Sequence, residues 1–126
     1  MTDEEPKWSD VFEQLAEFEI ASRTDRYSRS EMRLAIALSA VGLVQAFNWP
    51  AWVIARGGHV QKDEVDQLSL FDCVRGMTAI KRVDRVCEGS LTDAVRSGKV
   101  RAICSRAYSL SGGIRVPPLP EIQERM

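Results

Sequence analysis

A chain of 126 residues, 44% hydrophobic and 28% charged, is one domain's worth of sequence with enough apolar material for a core, which excludes a wholly disordered, collagenous or membrane-embedded chain. The formal net charge is −1, and the one histidine and three cysteines, Cys73, Cys87 and Cys104, form no CxxC pair, zinc ribbon or even disulfide framework, so neither metal nor cofactor is implied. The longest apolar stretch, 34–47, is broken by Ser39, Gly42 and Gln45, and the start from Met1 to Pro6 is acidic, so the expectation is a cytoplasmic protein with reduced thiols and no membrane partner.

In chain order, Ser9 stands ahead of Val11, Phe12, Leu15 and Phe18, whose spacing predicts a helix over 9–22 with an acidic first turn. Ser28 and Glu31 have the form of a capping box. After them Met32, Ala35, Ile36, Ala40, Leu43, Val44 and Phe47 line one stripe, with Leu34, Ala37, Leu38 and Val41 opposite. A second helix, apolar nearly all round and running to about Phe47, is therefore expected at the centre of the fold. Asn48-Trp49-Pro50 interrupts it, and a short helical turn from Pro50 to about Ala55 follows. Gly57-Gly58 opens a polar loop to about Lys62.

Asp63 is the expected cap of a third helix that carries Leu70, Cys73, Val74, Met77 and Ile80 and continues towards Val83 and Cys87. Ser90 as N-cap and Gly98 as stop outline a two-turn helix, and Val100, Ile103, Cys104, Ala107 and Tyr108 a last one ending near Ser109. Ser111-Gly112-Gly113 and Pro117-Pro118-Leu119-Pro120 cannot hold helix, and Ile114-Arg115-Val116 is the one place for a brief edge strand. The fold class read from these signals is all-α, a compact bundle of four to five helices around a central apolar helix. A single helical domain is expected over 1–110, with an extended or disordered tail over 111–126.

Charge is distributed unevenly. Residues 1–22 carry seven acids against Lys7 alone, whereas Arg75, Lys81, Arg82, Arg85, Arg96, Lys99, Arg101 and Arg106 face only Asp84, Glu88 and Asp93. The favoured reading is intramolecular, an acidic first helix lying on or near the basic last helices. A nucleic-acid footprint and a face for an acidic protein are the alternatives.

The segment Thr78-Ala79-Ile80-Lys81-Arg82-Val83-Asp84-Arg85-Val86-Cys87-Glu88-Gly89-Ser90-Leu91, with Gly42-Leu43-Val44, Phe47-Asn48-Trp49 and Trp52 upstream, resembles a family of small bacterial and phage proteins classed as a domain of unknown function. The resemblance covers roughly residues 32–108 and implies a compact, mainly helical domain of phage or mobile-element type.

Within that segment Arg82, Arg85 and Glu88 recur at a three-residue spacing, which predicts one shared helical face and an Arg85–Glu88 ion pair. Structural or partner contacts are the preferred reading of Arg82, Asp84, Arg85 and Glu88; general acid or base work by Glu88 or Asp84 is the catalytic alternative. His59, in the predicted loop, reads as a solvated residue before it reads as a proton acceptor. Cys73 and Cys104 fall on apolar stripes, and core packing is also preferred for Cys87, although its arginine neighbours make it the best thiolate. Trp49 and Trp52 either wedge into the core or anchor a partner.

These weights point to a non-enzymatic protein-binding module, of the kind represented by an anti-CRISPR-like inhibitor, that covers a surface of a bacterial host complex through Arg82, Asp84, Arg85, Glu88, Trp49 and Trp52. A nucleic-acid-binding protein using the basic 75–106 half, and a small enzyme using Glu88 or His59, are the competing readings.

Overall fold

The structure, a computed structural model, describes residues 7–23 and 28–123. Among them are seven α-helical segments and one 3-10 helix, with no strand. The all-α bundle is as expected, and the edge strand expected at 114–116 does not form. The acidic start from Met1 to Pro6 and the Ser28 side chain of the expected capping box lie outside the described residues.

Helix α1, Trp8–Ala21, buries Trp8, Val11, Leu15 and Phe18 on one stripe. Its N-cap is Lys7 and not Ser9, because the indole of Trp8 belongs to the core and its N–H donates to the Ile114 carbonyl at 2.9 Å. Helix α2, Ser28–Ala40, packs chiefly on α1 and stops well short of Phe47. Gly42, at φ 83°, closes it: the Gly42 and Leu43 amides donate back to the carbonyls of Ser39 and Leu38, the paired bonds of a Schellman motif. A Cβ on Gly42 would sit 2.4 Å from the Val116 carbonyl oxygen, so the last segment of the chain lies directly against this helix end. Leu43 and Val44 stay buried, but on irregular backbone.

Helix α3, Trp49–Arg56, starts as expected, with Asn48 Oδ1 accepting from the Ala51 amide and Pro50 in the first turn. The polar loop then leads into the 3-10 helix, Lys62–Gln67, which contains Asp63. Asp63 is thus not the cap of the next helix. That role falls to Ser69, whose Oγ accepts from the Asp72 amide at 3.1 Å and opens α4, Leu70–Val83.

The centre of the bundle is α4 and not α2. It packs against α3, α5 and α6, and buries Cys73, Val74 and the run Gly76 to Ile80. By contrast α2, apolar on both sides, leaves Met32 and Ile36 on the surface. After α4 a turn leads into α5, Ser90–Arg96, and Gly98 joins that to α6, Lys99–Ser111. Ser90 is not the N-cap of α5; Gly89 is, at φ 94°, and the Ser90 hydroxyl donates to the Cys87 carbonyl.

The chain beyond α6 is extended, and it is fastened to the bundle where disorder was the other expectation. Val116 and Leu119 are fully buried. The Val116 amide donates to the Val41 carbonyl at 2.8 Å, and the Leu119 amide to Gln45 Oε1 at 2.8 Å, while Gln45 Nε2 donates to the Pro117 carbonyl. A final turn, α7 at Pro120–Gln123, brings Glu121 onto Arg75. Pro117 and Pro118 thus lie in an extended strap whose donors and acceptors are met by Gln45 and the end of α2, whereas Pro120, expected to exclude helix, opens α7 at the first-turn position that proline tolerates.

Candidate functional site

Arg75, Arg96, Arg101 and Arg106, half of the basic residues of the 75–106 segment, are bonded within the fold. Arg75 donates to Asp72 at 2.8 Å and with two nitrogens to Glu121, at 2.8 and 3.1 Å. These contacts raise the pKa of the guanidinium and lower that of Glu121. Arg101 on α6 makes the same two-pronged contact with Glu19 on α1, at 2.5 and 2.9 Å. Arg96 donates to the Ser22 carbonyl and Arg106 to that of Leu68. Helix α1 packs on α5 and α6, as the intramolecular reading expected, but of its acids only Glu19 pairs with a base of those helices among the described residues, whereas Asp10, Glu13 and Glu17 stay exposed. The basic residues left at the end of α4 are Lys81, Arg82 and, in the turn beyond, Arg85.

That turn is the structural content of the 78–91 segment. Thr78 is buried and accepts the Gln45 amide through its hydroxyl, and Ala79, Ile80 and Leu91 are core residues. Asp84 follows the last helical residue, and its Oδ1 accepts from the Gly89 and Leu91 amides, both at 3.1 Å. A carboxylate here neutralises two amides that α5 cannot bond internally and complements the positive end of its dipole. Between these anchor points the chain holds Arg85, Val86, Cys87 and Glu88 out, with Val86 76% exposed. Arg82, Arg85 and Glu88 do not share a helical face, because α4 ends at Val83; no ion pair joins Arg85 to Glu88 among the described residues. Cys87 is likewise exposed, which corrects the core placement expected of it, whereas Cys73 and Cys104 are buried and their thiols are pushed up to about 11 and about 12 by desolvation.

The two tryptophans lie elsewhere. Trp52 is half-buried between Phe47, at 6.3 Å between rings, and the Arg56 guanidinium, 5.1 Å from its centroid. It borders a small hollow with Glu121 and Ile122, and Glu121 binds Arg75, two turns before Arg82 on α4. Trp49 stacks obliquely on His59 at 6.3 Å. The structure thus does not gather Trp49 and Trp52 with Arg82, Arg85 and Glu88 into one cavity.

An open cavity of about 590 Å³ does bring His59 together with Cys87, under a rim that includes Lys62, Asp93 and Lys99, over an apolar floor of Ile80, Val83 and Ala94. Burial, then the charges of Lys99 and Arg56, lower the pKa of His59, so its imidazole is neutral near pH 7. Neither Arg85 nor Glu88 lines this cavity, and the hydroxyls of Ser90 and Ser97 that border it donate to backbone carbonyls. Of the groups that the catalytic reading named, His59 lines this cavity and Arg85 and Glu88 do not. From sequence Lys62 is only a loop boundary, and Asp93 and Lys99 only members of a charge tally; the meeting of the His59 loop with α5 and α6 joins them. Among the described residues no three acids, histidines or cysteines form a group able to hold a metal ion.

The turn, the cavity and the six long helical elements all fall within residues 2–112, which match the model of a family of unknown function, DUF6508. The chain belongs to that family. The match in this DUF6508 protein is wider than the segment that carries the sequence resemblance, and it stops before the strap at 114–119 that completes the core. No curated protein and no solved structure matches the chain. No helix among the described residues is long and apolar enough to cross a membrane.

Proposed function

We propose that this DUF6508 protein is a non-enzymatic, cytoplasmic binding module of phage or mobile-element type, which covers a surface of a bacterial protein complex as an anti-CRISPR-like inhibitor would. The observation that carries this reading is the turn from Asp84 to Gly89. Its base is fixed by the hydrogen bonds that the Gly89 and Leu91 amides donate to Asp84, while Arg85, Val86 and Glu88 stand in solvent beside Arg82. A turn ordered before binding loses little entropy on docking, and an exposed aliphatic residue flanked by an arginine and a glutamate offers both apolar and charged contact. Arg82, Arg85 and Glu88 are the contact residues in this reading, and Asp84 acts by holding the turn. Trp49, with its ring on His59, extends the contact only for a partner that reaches α3.

Photo-crosslinking tests the reading. A benzophenone side chain at Val86 should capture one defined protein from a prokaryotic lysate, nuclease treatment should leave the capture intact, and Arg82→Glu with Arg85→Glu should abolish it while circular dichroism stays unchanged. The same probe at Ile54, exposed on α3, should capture nothing specific. Equal capture at both positions, or binding to nonspecific DNA that falls steeply with salt, would overturn the proposal.

A further inference from the structure

The α1–α2 pair carries a second surface that the turn does not explain. Helices α1 and α2 pack on one another, and Glu17 meets Arg33 across their outer seam at 3.9 Å with both side chains about half exposed. Ile20 on α1 is 69% exposed, and Met32 and Ile36, one turn apart on α2, are each 64% exposed. Single exposed aliphatics are ordinary, but three on the outward side of two helices that pack together are apolar surface still to be covered.

The charges around the patch separate by helix. The exposed positions Asp10, Glu13 and Glu17 on α1 are acidic, and Arg29 and Arg33 on α2 are basic. Glu31, the acid of α2, is turned away towards Asp84 and Lys81. A heterologous partner would have to carry an acidic strip beside a basic one, with apolar groups to meet Ile20, Met32 and Ile36, in matching order. A second copy of this chain has that pattern by construction, because a two-fold axis running along the helices lays the acidic α1 of one molecule over the basic α2 of the other.

We infer that the exposed α1–α2 face, with Ile20, Met32 and Ile36 at its centre, binds the same face of a second copy to form a symmetric four-helix dimer. Two helices about 20 Å long and about 10 Å apart present a small face by the standard of specific interfaces, so the dimer forms at micromolar and not nanomolar concentration.

Sedimentation velocity on the full chain decides it. The wild type should pass from monomer to dimer between about 1 µM and about 500 µM. Glu13→Arg with Glu17→Arg, and separately Arg29→Glu with Arg33→Glu, should each weaken self-association at least about tenfold. An equimolar mixture of the two should recover it as a heterodimer, since each now offers what the other lacks. Ile36→Glu should be monomeric throughout, and Arg82→Glu with Arg85→Glu should dimerise like the wild type, so this inference stands or falls apart from the proposed function. A wild type that stays monomeric, charge variants that self-associate unchanged, or a mixture that does not recover would overturn it.

Discussion

Glu31 of α2 shares a hydrogen bond with Asp84, the residue whose carboxylate also holds the amides of Gly89 and Leu91. Partial burial, and then the adjacent Asp84 carboxylate, disfavour the charged form of Glu31 and hold its carboxyl above the ordinary range. The first turn of α2, the end of α4 and the start of α5 thereby meet at Asp84.

The pH dependence follows from the sign of the Glu31 shift. Burial first, then the charge of Asp84 and the shared bond, raise its pKa above the ordinary 4.5, while Lys81 opposes them. A group whose pKa is higher folded than unfolded binds a proton on folding, so the stability it contributes is present below the unfolded pKa and is lost as pH rises through the folded one. Glu31→Gln keeps a donor for Asp84 and removes the charge. Urea denaturation should show the variant more stable than the wild type at pH 7, with the gap closing as the pH falls below about 4. A constant gap across that range would place the proton elsewhere.

Asp84→Ala leaves the amides of Gly89 and Leu91 without their acceptor, and should lower the unfolding free energy by about 1–2 kcal/mol. Asp84→Asn, which retains a carbonyl oxygen, should recover most of that loss. It should also return the Glu31 titration towards its ordinary value, readable by carboxyl chemical shifts, since the neighbouring charge is gone.

Legibility from sequence divides along physical lines. The α1 stripe, the Asn48-Trp49-Pro50 start and the Gly98 joint depend on neighbours within a turn or two, and they were read within a residue or so. The run from Leu43 to Phe47 keeps helical spacing, but Gly42 ends the helix at positive φ, and the Val116 carbonyl far along the chain packs where a side chain at that position would stand. Asp63 and Ser69 are both adequate caps, and the choice between them rests on the tertiary burial of Val65 and Leu68. Arg85 and Glu88 have the spacing of a helical pair but lie beyond Val83, where Asp84 turns the chain to serve α5. The His59 cavity left no sequence signal, since its walls come from segments whose residues are individually unremarkable.

The strap is a quantitative test of whether the segment after α6 belongs to the core. Leu119 is fully buried although it stands between prolines, and its amide is bonded to Gln45. Leu119→Ala should cost about 2–4 kcal/mol, as in any core leucine site that cannot collapse around the lost methyl groups. Gln45→Ala should destabilise as well, by removing the groups that satisfy Gly42, Pro117 and Leu119 at once. A loosely attached tail would show neither effect in thermal melts.

The three cysteines should react in sequence, because a thiol reagent attacks the thiolate and must also reach it. Cys104 is fully buried, with its thiol pushed up to about 12, and Cys73 is buried with its thiol at about 11, so both are protonated and inaccessible in the folded chain. Cys87 is exposed at the mouth of the His59 cavity. At about pH 8 a disulfide reagent should therefore label Cys87 alone, Cys87→Ser should leave the native protein unlabelled, and urea should release the other two thiols together with the unfolding transition. Labelling of Cys73 or Cys104 before unfolding would mean that α4 and α6 separate locally, and hence that the contact at the centre of this bundle is weaker than its burial implies.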